Sequence, residues 1–172
     1  RLAKLAAEVL DTAPEQAAVP DAVAGAAIGG DGAAVRAWLA RAGQVDATWE
    51  SGSVSGVSLL MIAARRGHEG LVEELLARGA AVDLRDSHGR TALMAAADAD
   101  RPAVVRLLLR AGAGLEAREK SGRRAIDYAR AKGGSAVADL EEAAAGATGA
   151  AAAVAAAGAA GVVAAAGAAG AG

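Results

Sequence analysis

The sequence predicts an all-α repeat solenoid, a stack of helix-turn-helix units joined by short β-hairpin-type tips. The main observation is an internal period, because Gly56, Gly89 and Gly122 are each separated by 33 residues, as are Gly79 and Gly112. Apolar positions keep the same interval at Leu60, Leu93 and Ile126, and at Ala63, Ala96 and Ala129. A fixed period of this length is typical of solenoids, in which each unit buries its apolar face only against its neighbours.

The composition favours a layered stack of helices over a single globular core. The chain has 172 residues, enough for one domain, and 54% of them are hydrophobic, but much of that fraction is alanine. There is no Phe, and the aromatic residues are Trp38, Trp49 and Tyr128. A globular core needs larger side chains to fill its centre, whereas small residues allow helices to approach one another closely.

One complete unit is visible between residues 89 and 118. Thr91 suits a helix N-cap, since its hydroxyl can accept from an unpaired backbone N–H, and an alanine-rich helix follows. Asp100-Arg101-Pro102 predicts a turn into a second helix, with proline near its first position. The apolar residues of that helix recur on one face, at Val104, Val105, Leu108 and Leu109. Gly112 ends the helix, because glycine readily adopts the left-handed conformation.

The preceding copy has the same parts: Ser58 as the N-cap, Gly67-His68 as the inter-helix turn, and Gly79 at the end of the second helix. The Gly67-His68 turn and the start Thr91-Ala92-Leu93-Met94 resemble the ankyrin-repeat family, whose repeat has 33 residues and a Thr-Pro-Leu-His-type start. The resemblance covers roughly residues 21–143. Ala92 and Met94 replace the family's Pro and His, a departure that weakens local capping hydrogen bonds but leaves the period unchanged.

The period divides the chain into six predicted segments. Residues 26–47 align with residues 63–84 at a shift of 37, so four additional residues lie in Thr48 to Gly56, at the first tip. The last copy ends in Asp139, Glu141 and Glu142, the polar outer side expected of a capping repeat. The predicted segments are an N-terminal helix or cap (1–20), a degenerate first ankyrin repeat (21–52), two further ankyrin repeats (53–85 and 86–118), a C-terminal capping repeat (119–143) and an Ala/Gly-rich low-complexity tail (144–172).

The tail is the one stretch long enough and uncharged enough to be weighed as a membrane span. From residue 143 onward it contains no Leu, Ile or Phe, and its seven glycines each cost about 1 kcal/mol of helix propensity relative to alanine. Low complexity is therefore the favoured interpretation, with a membrane helix as the alternative.

Several function classes are disfavoured by composition. The net charge of −2 gives no reason to expect binding to nucleic acid, and no aromatic platform lies among the basic residues. The absence of cysteine excludes disulfides, thiolate chemistry and Cys-ligated zinc in this segment. It is compatible with the intracellular, cytoplasmic location that we expect. We also expect a monomer without a cofactor, a bound metal or a membrane span.

No residue pattern predicts catalysis. His68 is expected to hydrogen-bond the backbone at its turn, and His88 to be solvated at a hairpin tip; neither has a nucleophile or carboxylate at a diagnostic spacing. The stretch Gly112 to Ala117 matches a loose dinucleotide-binding pattern, but it follows a helix instead of joining a strand to a helix, so Gly112 is interpreted as a helix cap. We therefore predict that this segment is not an enzyme.

The resemblance implies that partners bind at the hairpin tips and on the exposed side of the first helix in each repeat. Mapped onto this register, the predicted partner-binding residues are Arg65, Arg66, Arg85, Ser87, His88, Arg90, Asp98, Arg118, Lys120 and Arg123. Arg85 and Arg118, like Arg90 and Arg123, are 33 residues apart and should stack in rows of like charge. On the premise that a fold gains nothing from aligning like charges, these rows predict an anionic partner, against the alternative of an ordinary solvated face.

The sequence thus predicts a non-catalytic scaffold that binds a protein partner, with an acidic segment, on its concave face and hairpin tips. Two alternatives belong to different classes. One is a regulatory or targeting ankyrin segment of a larger enzyme or channel, with the tail as its linker. The other, less favoured, is a tail-anchored membrane adaptor.

Overall fold

A computed structural model describes residues 18–41 and 43–146. The predicted N-terminal helix over Leu2 to Leu10 and most of the Ala/Gly-rich tail lie outside these residues. The elements, in chain order, are α1 (Asp21–Gly29), α2 (Gly32–Arg41), β1 (Thr48–Ser51), β2 (Val54–Ser58), α3 (Leu59–Arg66), α4 (Glu69–Ala77), α5 (Ala92–Asp98), α6 (Pro102–Arg110) and α7 (Ala125–Lys132), followed by α8 over residues 136–146.

The helices form two layers, as the period predicts. The first helices of the four units, α1, α3, α5 and α7, pack against one another in sequence, and α4 packs against α6 in the second layer. The side chain of Leu108 in α6 is fully buried, and Val104 and Val105 beside it are at most 1% exposed. These contacts confirm the all-α repeat solenoid. Among the described residues, no helix has the length and apolar character required to span a membrane.

Local sequence chemistry starts and stops the helices where predicted. The Ser58 hydroxyl accepts a hydrogen bond from the backbone N of Met61 at 3.2 Å, and the Thr91 hydroxyl accepts one from Met94 at 3.4 Å. Pro102 is the first residue of α6, where its missing N–H costs nothing. Gly112 follows α6 with φ of +88°, in the left-handed region that favours glycine.

The first tip differs from the later two. Strands β1 and β2 form an antiparallel hairpin there, with Trp49 opposite Val57 and a register shift between Trp49 and Ser51. The four additional residues predicted in this region are therefore part of a true β-hairpin. At the second and third tips the described chain forms tight turns, each closed by a backbone bond across four residues, Asp86 N to Arg90 O and Glu119 N to Arg123 O, both 3.0 Å.

Neighbouring tips are joined by backbone hydrogen bonds. Ser87 N donates to Ser55 O at 2.8 Å, and Lys120 N donates to His88 O at 2.9 Å. Because each bond links equivalent parts of consecutive repeats, the tips form a continuous edge. His88 is exposed at this edge, as expected. His68 lies instead at the turn between α3 and α4, where its Nε2 hydrogen-bonds Ile28 O at 3.0 Å, so the predicted contact with the backbone is confirmed.

The last repeat buries one face and exposes the other. Ala136 and Leu140 of α8 are fully buried, whereas Glu141 and Glu142 are exposed on the outer side. The ion pair between Arg106 Nη1 and Asp139 Oδ2, 2.9 Å apart, joins α8 to α6. The helix continues to residue 146, three residues past the point where the composition changes.

Candidate partner-binding groove

A concave groove of about 680 Å³ runs between the hairpin tips and the first-layer helices. It begins beside β1 and β2, crosses α3 and α5, and ends near Lys132 of α7. Its two ends differ chemically. Apolar side chains form the end next to the hairpin, and cationic side chains form the end next to the inter-helix turns.

The apolar end has a wall of three half-buried side chains, Trp49, Val54 and Val57, above a floor of Met61 and Ile62, which are 5% and 6% exposed. The Trp49 indole Nε1 donates a hydrogen bond to Asp21 Oδ1 at 2.8 Å. Because its one polar atom is satisfied by the protein, the indole presents only apolar surface to the groove.

An irregular hairpin register places Val54 and Val57 on the same groove. In a regular strand, residues three apart lie on opposite faces, so both could not line one side. The register shift between β1 and β2 and the positive φ of Gly56, +77°, break that alternation, as bulges commonly do. A Cβ at Gly56 would lie 3.5 Å from Arg85 O, so the glycine also allows the hairpin to pass close to the next tip.

The cationic end is formed by Arg65 and Arg66, both exposed in the last turn of α3, and by Arg101 of the following turn. Arg101 packs over the end of α3, since a Cβ added at Gly67 would lie 2.8 Å from its Cδ. Within the described part of the chain none of these three arginines forms an ion pair. Lys132 is nearby, with its Nζ 4.0 Å from Asp98 Oδ1.

The premise behind the predicted rows of like charge is wrong, because the fold itself uses Arg90. The side chain of Asp86 is only 4% exposed and forms an ion pair with Arg90, Oδ2 to Nη2, at 2.9 Å. Its Oδ1 accepts hydrogen bonds from the backbone N of His88 and of Arg90, both at 2.9 Å. Asp86 thus organises the whole turn, and Arg90 neutralises its buried charge.

Arg123 has the same structural role one repeat later. Its Nε lies 3.1 Å from Glu119 Oε1, and its guanidinium lies 4.8 Å from the centre of the Tyr128 ring, within cation–π range. The Ser121 hydroxyl donates to the same carboxylate. Chiefly because of that hydrogen bond, with the Tyr128 hydroxyl and Arg123 adding to it, the pKa of Glu119 lies below its ordinary value. Burial and Glu119 raise the pKa of Tyr128.

The second row of arginines also makes contacts within the protein. Arg85 Nη1 donates to the backbone O of Arg118 at 3.1 Å, and Arg118 Nη1 donates to Gly122 O at 2.9 Å. Both side chains remain exposed, and their hydrogen bonds connect consecutive tips. Aligned arginines are therefore accounted for by hydrogen bonding between repeats without invoking a partner.

The structure divides the predicted partner-binding residues into two groups. Four of them line the groove: Arg65, Arg66, Arg90 and Asp98. The other six lie on the edge formed by the second and third tips: Arg85, Ser87, His88, Arg118, Lys120 and Arg123. Their part in binding stays a prediction.

Sequence reasoning missed Trp49, Met61, Ile62 and Arg101, which also line the groove. Two signals point to members of this set. Trp49 lies within the four-residue insertion at the first tip, where a departure from the period marks a chain-specific feature. Arg101 stands one period after His68, so the turn position of His68 could have been extended to it.

Nothing in the groove has the arrangement of a catalytic centre in the described residues. His68 faces the α1 end on the other side of the turn, and the Gly112 to Ala117 stretch follows a helix, with Gly114 N donating to Asp83 Oδ1 at 2.9 Å. Across residues 18–41 and 43–146 no group of three or more His, Cys, Asp or Glu side chains is placed to hold a metal ion.

Comparison with known families agrees with the repeat architecture. A family model of ankyrin repeats, in three copies, matches residues 24–138, which is more than half of the chain. The match begins within α1 and ends within α8, so it includes every residue of the groove. A search of curated proteins found no significant match.

Proposed function

We propose that this chain, which belongs to the ankyrin-repeat family, is a non-catalytic scaffold that holds a protein partner in its concave groove. Ankyrin repeats are generally protein–protein interaction modules, and the family is typically non-catalytic. The observation that supports this groove as the binding face is the cluster of Arg65, Arg66 and Arg101, exposed and unpaired among the described residues, beside an apolar wall.

The charge balance of the groove favours an acidic segment in the partner. Asp86 is neutralised by Arg90, and Asp98 lies within 4.0 Å of Lys132. The remaining carboxylate, Asp100, is engaged by the backbone N of Ala136 at 3.2 Å. The arginine cluster therefore has no acid in the groove to offset it, and carboxylates of a partner would supply the missing charge. Such contacts accelerate association and make binding depend on salt concentration.

The proposal is tested by affinity capture with the full chain as bait, compared with two charge-reversed variants. Arg65→Glu with Arg66→Glu alters the groove, and Arg41→Glu with Arg110→Glu is the matched control on the second layer. All four arginines are exposed and lie in the last turn of a helix, so both variants change the net charge and the helix-end electrostatics similarly. Circular dichroism and the unfolding midpoint are measured for each.

We expect quantitative mass spectrometry to show a set of proteins enriched by the parent and by the control and lost with the groove variant. Raising the salt concentration should release the same set. Equal loss from both variants would mean that only overall charge matters, and retention by the groove variant would remove the groove as the binding face.

A further inference from the structure

We propose, on the basis of the function proposed above, that the partner binds through a short segment that combines an apolar anchor with adjacent carboxylates. The apolar side chain occupies the hairpin end of the groove, and the carboxylates contact the arginine cluster. This assigns a partner chemistry and an orientation, and not only a binding face.

The apolar end is specific to this chain's first tip. The four additional residues of that tip create β1 and β2, and the second and third tips are tight turns in the described structure. The hairpin contributes Trp49, Val54 and Val57 to the groove, and Met61 and Ile62 close its floor. A pocket edged by tryptophan and floored by nearly buried aliphatic side chains is typical of the sites that hold an apolar anchor residue.

The cationic end is equally distinct, because three guanidinium groups meet where α3 ends. Arg65 and Arg66 follow the floor residues along the same helix, and Arg101 is held over Gly67 from the next repeat. The negative end of the helix dipole favours cations at this position, but none of the three has an acidic partner among the described side chains. Guanidinium groups recognise carboxylates by paired hydrogen bonds, which suits an acidic peptide.

The distance between the two ends limits the partner's sequence. Ile62 and Arg66 are four residues apart on α3, a rise of about 6 Å along the helix axis. An extended peptide covers about that distance in two residues, and a helical one in four. The partner segment should therefore carry its acidic residue about two positions from the apolar anchor if it is extended, and about four if it is helical.

A nucleic-acid partner fits these observations less well. Its phosphates would find cations only at one end, and Asp98 and Asp100 lie on the same groove. The chain as a whole carries a net charge of −2. The apolar end would stay unfilled against a phosphate backbone, whereas a peptide with two kinds of side chain occupies both ends.

The test is a selection of short random peptides displayed on phage, with the full chain as the target. Selected peptides are synthesised, and their dissociation constants are measured by fluorescence anisotropy for the parent and three variants. Val54→Thr with Val57→Thr makes the hairpin end more polar with little change in side-chain size. Arg65→Glu with Arg66→Glu reverses the cationic end. Val82→Thr with Val137→Thr is the matched control, since both valines are half-buried and neither lines the groove.

We expect the selected peptides to share an apolar residue and an acidic residue at one of the two spacings above. Their dissociation constants should rise by about tenfold or more with the arginine reversal and several-fold with the valine pair, and should stay unchanged in the control. Peptides without acidic residues, binding unaffected by the valine pair, or tighter binding of a single-stranded DNA probe would overturn the inference. Proteins captured in the preceding experiment would then still support a scaffold, whereas failure of both experiments would remove the proposed function itself.

Discussion

Asp100 in the third repeat fills the space that the missing Cβ of Gly134 leaves in the fourth. The Asp100 carboxylate lies directly against the position where a Gly134 side chain would begin, and its Oδ1 accepts a hydrogen bond from the backbone N of Ala136 at 3.2 Å. Ala136 begins α8, so Asp100 caps the outer helix of the next repeat from across the repeat interface.

The same contact is reversed at the earlier interfaces. Arg101 reaches back over Gly67, and the His68 ring lies beside Gly30, 2.7 Å from where its Cβ would be. Each interface therefore pairs one glycine with one side chain. At the third interface the side chain has moved to the left-handed position, where Asp100 has φ of +49°. Aspartate is one of the few non-glycine residues that tolerate this conformation.

This arrangement predicts that Gly134→Ala destabilises the protein. The added methyl group would displace the Asp100 carboxylate from Ala136 N, at a cost of about 1 kcal/mol, the usual value of a lost helix cap. The measurement is urea unfolding followed by circular dichroism, comparing Gly134→Ala with the parent chain.

The control is the same substitution in the Asp100→Gly background. There the alanine meets no carboxylate, and it restricts the unfolded chain, so Gly134→Ala should become neutral or stabilising. A double-mutant cycle should give a coupling energy of about 0.5–1 kcal/mol. Additive effects of the two substitutions would show that Asp100 and Gly134 do not interact.

A second prediction concerns Asp86, which holds the second tip together. Asp86→Ala removes the acceptor for two backbone N–H groups and leaves Arg90 without its partner, so it should cost about 2–3 kcal/mol of unfolding free energy. Asp98→Ala is the comparison, because its contact with Lys132 is long and half-exposed and should contribute no more than about 0.5 kcal/mol. Similar losses from both would mean that the Asp86 hydrogen bonds do not stabilise the tip. Charge reversal at Arg90 would also destabilise the tip, which makes Arg65 and Arg66 the better probes of binding.

The repeat architecture could be predicted because it depends on short-range chemistry repeated at a fixed interval. Thr91 and Ser58 cap helices through bonds to residues three positions away, and Pro102 and Gly112 act through their own backbone. The sequence separation of 33 then predicts which residues lie side by side. For the same reason the stacking of Arg90 on Arg123 was predictable.

The purpose of those arginines could not be predicted in the same way. Whether Arg90 is free or paired depends on the turn that brings Asp86 within 2.9 Å and buries it, and nothing in the period specifies that geometry. The apolar end of the groove was missed for a related reason. Val54 and Val57 come to one side only through an irregular register and a positive φ at Gly56, both of which break the alternation that sequence patterns assume.

A third prediction tests the register of α6. Leu108 is fully buried between layers, so Leu108→Ala should cost about 2–5 kcal/mol. Leu109, its neighbour, is only partly buried, and Leu109→Ala should cost clearly less. Both are measured by urea unfolding, and an equal cost at the two positions would contradict the orientation of the helix.

The last prediction is a pH dependence that originates at Glu119. In the folded protein its pKa lies below the ordinary value of 4.5, first because the Ser121 hydroxyl donates to the carboxylate and then because Tyr128 and Arg123 also favour the ionised form. A carboxyl whose folded pKa is lowered stabilises the protein fully above its unfolded pKa, and this contribution is lost as the pH falls through the lower folded value.

Glu119→Gln removes that titration while keeping an acceptor of similar shape. We therefore expect the parent to be more stable than the variant at neutral pH and the difference to shrink as the pH falls below 4.5. Urea unfolding midpoints across this range measure the difference. Asp127, whose pKa is also lowered, mainly by the backbone N of Arg124, is present in both proteins, so its contribution cancels. A difference that stays constant or grows on acidification would show that the Ser121, Tyr128 and Arg123 contacts do not favour the ionised carboxylate in the folded state.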